Sequence, residues 1–350
     1  MQMKTMKKIC SAVLAATMLL ALTACGSASS GSSSAAASGS ASASASEKTK
    51  VTFVLDWTPN TNHTGLYVAL ANGYFADEGL DVEVVQPPDD GAEMLVGSGK
   101  ADFGVSFQDT MEPAIVGDSA MPITAVAAVI QHNTSGIVSR KGEGMDRPKG
   151  LEGHDYATWD MDVEKAMLKN VVETDGGDFS KVNLVPSTVT DEVSALQSNS
   201  VDAIWIFYAW AGVACEVANL PIDYFAFSDI NPAFDYYTPV IIANNDFLAN
   251  NPDTAKTFLR ALSKGYEYAV ENPDDAANIL MEQCPELKDS ADLVTASQEY
   301  LADQYTADAS QWGIFDADRW NAFYNWMNDN GLSAEKIPEN TGFTNDYLPQ

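Results

Sequence analysis

The chain has 350 residues, 46% hydrophobic and 10% aromatic, enough apolar material for the cores of two ordinary domains. Its 49 Asp and Glu against 19 Lys and Arg leave a formal charge of −30, which speaks against nucleic acid or a polybasic hold on anionic lipid, both of which need clustered positive charge. Four cysteines without a Cys-x-x-Cys pair exclude a zinc ribbon and a thioredoxin-type redox motif.

Lys4, Lys7 and Lys8 precede an apolar run over residues 9–24, too short to span a bilayer comfortably. It ends Leu22-Thr23-Ala24-Cys25, which resembles the bacterial lipobox, where a Cys becomes lipid-modified and N-terminal after cleavage. Residues 26–46 are only Gly, Ser and Ala. Such a stretch buries too little apolar surface to offset its ordering entropy, so residues 25–47 are expected to be a lipidated Cys and a flexible tether. Residues 1–24 would be the signal peptide. In the body, Cys215 and Cys284 are expected to be two separate buried thiols.

From residue 48 onward, short apolar runs alternate with helical stretches. Strands are expected at 51–55, 81–85, 101–105 and 123–130, with helices at 62–72, capped by Thr61 or Asn62, and at 90–98. A second unit starts near Ile137, with strands at 156–158, 182–185 and 203–207 and helices at 162–173, 191–197 and 209–218. A strand at 236–243 returns the chain to the first unit, and helices at 252–269, 291–303 and 317–328 follow. The pattern predicts two α/β lobes, 48–136 with 240–345 and 137–239, joined by crossings near 135–139 and 237–240. Ligands of open α/β sheets sit beyond the carboxyl ends of strands, so the cleft between the lobes is the expected site.

The strand ends are rich in chemistry. Asp56-Trp57-Thr58-Pro59-Asn60 follows the first strand, with His63 opening the next helix. Ser106-Phe107-Gln108-Asp109 and Gln131-His132-Asn133 follow later strands. In the second unit, Trp159 and Glu192 lie just beyond strands, and Trp205, Phe207, Tyr208 and Trp210 crowd another. Aromatic faces stack on a planar ring, and carboxylates accept from ring amines, so this set suits a flat, nitrogen-containing small molecule. Aromatics inside apolar runs are also core residues; the period-two spacing of Trp205 and Phe207 puts at least one of them between sheet and helix. His63 and His132 each fit a structural histidine as well as a ligand contact.

Enzyme motifs fail. Gly97-Ser98-Gly99-Lys100 lacks the earlier Gly and the following Ser or Thr of a phosphate loop. There is no Gly-x-Ser-x-Gly elbow and no His-Glu-x-x-His, and the three histidines have no metal-ligand spacing. Asp89-Asp90-Gly91 lacks the rest of a calcium loop.

The run Leu55-Asp56-Trp57-Thr58-Pro59-Asn60-Thr61-Asn62-His63-Thr64-Gly65-Leu66-Tyr67-Val68-Ala69, followed by Gly73-Tyr74-Phe75, resembles the receptors for thiamine-pyrimidine precursors. The likeness continues through Gly97-Ser98-Gly99-Lys100-Ala101-Asp102-Phe103-Gly104 and Asp235-Tyr236-Tyr237-Thr238-Pro239. Those proteins serve ABC importers and bind formylaminopyrimidine or hydroxymethylpyrimidine. Fungal thiamine-pyrimidine synthases share their fold, and the Gly-Lys-Asp segment also looks like sulfonate, nitrate and taurine receptors.

The resemblance implies an α/β type II periplasmic-binding-protein fold, two lobes closing on ligand. The synthases look to use a Lys and a His where this chain has Ser106 and Thr110, and a Cys-rich cluster where it reads Ala233-Phe234-Asp235-Tyr236-Tyr237. A lysine that forms a Schiff base or donates its own atoms is not replaced by serine, so no enzyme activity and no catalytic residue is expected. The implied function is a lipid-anchored extracytoplasmic receptor for a thiamine-related aminopyrimidine. Riboflavin, a sulfonate or a nucleobase are alternative solutes, and a pyrimidine synthase is the alternative class. Ligand-binding residues are expected to be Asp56, Trp57, Asn60, His63, Ser106, Phe107, Asn133, Trp159, Glu192, Trp205, Tyr208, Asp235 and Tyr236, with Cys25 lipidated and no metal or cofactor. Asp56, Glu192 and Asp235 all qualify for the acidic partner of the ring amine. The expected partners are a small heteroaromatic solute, an ABC permease with its ATPase, and the membrane through the lipid, with the protein itself a monomer.

Overall fold

The computed structural model describes residues 48–118 and 120–350; the expected signal peptide, Cys25 and the tether lie outside them. Within that span, ten strands form two five-stranded sheets. The first four are β1 Thr49–Val54, β2 Leu80–Val85, β3 Phe103–Ser106 and β4 Ile123–Ala128. Five more follow: β5 Ser135–Arg140, β6 Asp155–Thr158, β7 Asn183–Pro186, β8 Ala203–Phe207 and β9 Ile222–Ala226. The chain then returns as β10 Val240–Asn244.

The sheet orders are β2-β1-β3-β10-β4 and β7-β6-β8-β5-β9. Both follow one plan. Three strands run parallel, and the strand entered through a crossing inserts antiparallel in fourth place: β10 beside β3 and β4, β5 beside β8 and β9. This is the type II periplasmic-binding-protein architecture. The composition of β10 explains its place. All five of its residues are buried, as a strand covered on both faces must be, and Val-Ile-Ile-Ala supplies the apolar surface.

The strand expected at 236–243 is shorter at its start. Pro239 has no N–H to give a ladder, and the ladder begins at Val240. Residues 135–139, expected as a crossing, are strand β5. The chain passes between the sheets over 129–134 and 227–239 instead. Strand β9 and a helix at Pro273–Gln283 were not expected from the sequence. The helix expected at 209–218 starts as a π-helical turn, Tyr208–Gly212, and becomes α only over Val213–Val217.

The first helix begins with a 3-10 turn, Thr61–His63, and continues over Thr64–Ala71. Its cap is Asn60, one residue ahead of Thr61, and the Asn60 side chain accepts from the Asn62 N–H at 2.9 Å. This helix packs on the long helix Pro252–Glu271 at glycine–glycine distance. A Cβ on Gly265 would lie 1.9 Å from the Gly65 carbonyl oxygen. Cys215 and Cys284 are free and buried, as expected, each in its own apolar cluster. Among the described residues, no helix is long and apolar enough to cross a membrane.

Candidate functional site

Four parallel strands aim their carboxyl ends at one cleft. Asp56 and Trp57 follow β1, Phe107 follows β3, Trp159 follows β6, and Phe207 ends β8. These residues line a cavity of about 360 Å³. The first sheet's side supplies Asp56, Trp57, Asn60, Asn62, Phe107 and Pro239. The facing side supplies Trp159, Thr190, Glu192, Trp205, Phe207 and Trp210, with Ile206 and Ala211. Trp57 and Trp159 are 51% and 42% exposed. Indoles that open to water contribute little to the core, and these two stand on opposite walls of the cavity.

Seven of the expected residues therefore meet here: Asp56, Trp57, Asn60, Phe107, Trp159, Glu192 and Trp205. The Phe107 and Phe207 rings approach across the cleft, centroids 6.3 Å apart and planes 19° from parallel. Trp159 leans on Trp205 at 5.7 Å, and Trp205 packs on Phe227 at 4.2 Å. Trp205 thus serves the core and the cavity at once.

The other six expected residues do not line it. His63 is buried; its Nε2 lies 2.6 Å from Asp56 Oδ1, and its Nδ1 accepts the Asn60 N–H at 3.2 Å. A neutral imidazole that accepts at Nδ1 carries its proton on Nε2, so His63 donates to Asp56. Ser106 is buried and donates to Glu93, which also takes the Thr110 hydroxyl. Asn133 donates to the Phe234 carbonyl and accepts the Ser135 N–H. Asp235 takes the Asn133 N–H on one oxygen and His132 Nδ1 on the other. These two residues tie the crossing segments to each other. Tyr236 is buried and donates to Asp109 at 3.3 Å. Tyr208 donates to Glu216 and packs on Tyr224 and Tyr300. Each polar group is spent inside its own lobe or at a crossing.

The sequence reading left out several lining residues and one that shapes the wall. Thr190 and Pro239 lie in loops and Asn62 in the 3-10 turn that opens the first helix, and none of the three stands directly after a strand. Glu164 did carry a signal, a Glu at the third position of a helix. It is buried and accepts from Tyr156 OH, Thr158 Oγ1 and the Trp159 and Met161 N–H groups, which fixes the turn that presents Trp159.

The cavity is acidic. Asp56 and Glu192 line it, and no Lys, Arg or His does so among the described residues. Burial, with Asp191 alongside, raises the Glu192 carboxyl above its ordinary range. A sulfonate or phosphate placed here would meet like charge without a counter-ion, whereas amino groups and protonated ring nitrogens would be accepted. Among the described residues, no cluster of His, Cys, Asp and Glu could hold a metal ion.

A family model described as "NMT1/THI5 like" matches residues 60–276. The chain is 31% identical over 304 residues to the formylaminopyrimidine-binding protein of Halalkalibacterium halodurans, covering 84% of this chain and 89% of that one. It is 23% identical over 330 residues to the 4-amino-5-hydroxymethyl-2-methylpyrimidine phosphate synthase THI11 of Saccharomyces cerevisiae, covering 85% and 88%. Among solved structures, the periplasmic aliphatic sulphonate binding protein SsuA of Escherichia coli superposes with a TM-score of 0.62. Its identity is 14%, with coverage of 83% of this chain and 90% of that one.

Proposed function

The chain belongs to the NMT1/THI5-like family, and from that premise we propose that it is an extracytoplasmic solute receptor of an ABC importer, selective for a thiamine-related aminopyrimidine. The observation that carries the reading is the cavity itself: indoles on opposite walls, two carboxylates, and no cationic lining residue among those described. Trp57 and Trp159 hold the ring's faces. Asp56, Asn60 and Glu192 meet its amino group and ring nitrogens. The 31% identical relative, named for formylaminopyrimidine, agrees with this chemistry.

Ligand held by both lobes favours their closed arrangement through its differential contacts, and that arrangement is what a permease would receive. The lipobox-like Cys25 and the Gly/Ser/Ala stretch after it would keep the receptor at the membrane surface. Catalysis has little support at the positions where the synthases look to carry Lys and His. Ser106 and Thr110 stand there, and both donate to Glu93.

Titration calorimetry tests the reading with four solutes: formylaminopyrimidine, 4-amino-5-hydroxymethyl-2-methylpyrimidine, riboflavin and an alkanesulfonate. A micromolar or tighter Kd for a pyrimidine and none for the sulfonate is expected. A sulfonate that binds while both pyrimidines fail would sink it. Incubation with pyridoxal phosphate and iron that yields a pyrimidine product would move the protein to the enzyme class. Cys25→Ser is expected to release the protein from the membrane fraction.

A further inference from the structure

The segment after β8 leaves its own sheet. Tyr208–Gly212 is a π-helical turn, a form that is rare and concentrates at functional sites. Ala209 is buried in the apolar cluster built on the first sheet, with Phe53, Val105 and Ile241. Trp210 packs against the cluster of Tyr67, Leu280 and Met281, whose helices also cover the first sheet's side. The next residue, Ala211, returns to the second sheet's cluster with Ile204 and Cys215. Two residues of a second-sheet turn are thus seated in the facing half, and Trp210 and Ala211 line the cavity as well.

A short hydrogen-bond chain holds the turn there. Ser297, fully buried on the helix Ala291–Thr306, donates its hydroxyl to the Ala209 carbonyl. A serine has one proton to give, so the Thr61 hydroxyl, 2.6 Å from Ser297 Oγ, is the donor in that second contact. Thr61 sits between Asn60 and Asn62, which both line the cavity. The Tyr305 hydroxyl fixes the Thr61 carbonyl at 2.7 Å. The chain Thr61–Ser297–Ala209 therefore joins the turns behind opposite walls of the cavity. Tyr300, one helical turn on from Ser297, packs on Tyr208 at 5.5 Å and extends the same seam.

We propose that Ser297 is a positioning residue for solute binding: it clasps the π turn to the cap turn, sets Trp210 against the cavity and holds the two halves in the arrangement that retains ligand. Its effect on binding rests on the receptor reading, whereas the clasp is independent of which solute is bound. When the halves part, the Ser297 hydroxyl and the Ala209 carbonyl lose each other as partners, so the clasp resists opening. Escape of ligand requires that opening, and entry starts from the parted form. Loss of the clasp therefore acts on the off-rate and leaves the on-rate.

Stopped-flow tryptophan fluorescence with 4-amino-5-hydroxymethyl-2-methylpyrimidine measures both rates on the full chain. Ser297→Ala is expected to raise the off-rate roughly tenfold and to leave the on-rate within about twofold. Thr61→Val, which breaks only the first link, is expected to raise the off-rate roughly threefold. Ser297→Thr keeps the hydroxyl and is expected to restore the native off-rate. A residue that only supported the fold would lower the melting temperature without separating the two rates. Native off-rates in both Ser297→Ala and Thr61→Val overturn the proposal; if Ser297→Ala does not fold, Thr61→Val decides. Hydrogen exchange of the ligand-free protein needs no solute. Amides of residues 208–213 are expected to exchange roughly tenfold faster in Ser297→Ala, with those of β1 and β6 unchanged. Native exchange at 208–213 overturns the clasp. A pyrimidine that fails to bind the native protein removes the aminopyrimidine reading and leaves the exchange result to decide the clasp.

Discussion

Nε2 of His63 lies 2.6 Å from Oδ1 of Asp56, so a histidine that never reaches the cavity sets the angle of a carboxylate that does. Its other nitrogen accepts the Asn60 N–H, which binds the imidazole to the cap of the first helix. His63→Leu would leave both partners unpaired. We expect a loss of roughly 1–3 kcal/mol of stability and an aminopyrimidine Kd at least fivefold weaker. Thermal denaturation and calorimetry check the two effects, and an unchanged Kd would remove the positioning role.

Trp57→Ala separates binding from folding. The side chain is half exposed and does little for the core. Its loss is expected to cost less than about 1 kcal/mol of stability. Affinity is expected to fall at least tenfold, because a wall of the ring site is gone. Calorimetry that returns the native Kd would take Trp57 out of the site.

Asp109 makes ligand-free stability depend on pH. Burial pushes its carboxyl up to about 6 from 3.8, with Glu93 adding to the rise and the Tyr236 hydroxyl opposing it. The folded chain therefore holds this proton more tightly than the unfolded chain does. Stability from this group is greatest below about 4 and is lost as pH rises through about 6. Asp109→Asn removes that loss. The variant is expected to be more stable than the native protein at pH 7.5 by about 1–3 kcal/mol, with the gap closing below pH 4. Melting curves across that range would show it, and a gap independent of pH would contradict it.

Gly265→Ala asks for space the fold does not have. The new Cβ would sit 1.9 Å from the Gly65 carbonyl oxygen, and a backbone atom cannot swing aside. The two helices must move apart, at a cost of about 1–3 kcal/mol or more. Denaturant titration should report it, and a variant as stable as the native protein would show that this contact yields easily.

The sheets were legible where a strand is a run of apolar residues, as at Ile123–Ala128 and Ala203–Phe207. Strand β5 was read as a crossing because Ser135-Gly136 begins it like a loop. Gly136 is there for closeness: a Cβ would lie 2.2 Å from the Phe225 carbonyl oxygen of the neighbouring strand. The front of the cavity was legible because the residues after each strand were the ones to watch, and Asp56, Trp57, Phe107 and Trp159 all follow that rule. His63, Ser106, Asn133 and Asp235 do not line the cavity and hydrogen-bond within the protein, and a polar residue beside a strand end looks the same in sequence whether its partner is a ligand or the protein. Only the three-dimensional contacts, His63 to Asp56 and Asp235 to His132, tell them apart.

The place of β10 makes the first sheet depend on a late segment of the chain. Strands β5 to β9 follow one another within residues 135–226, so the second sheet is complete in a chain that has emerged only that far. The first sheet is not. Its β3 and β4 have no neighbour between them until residues 240–244 arrive, and both present buried-type edges until then. A chain that folds as it emerges would therefore hold one complete sheet and an open seam in the other, and that seam is where strand pairing with another chain would compete with folding.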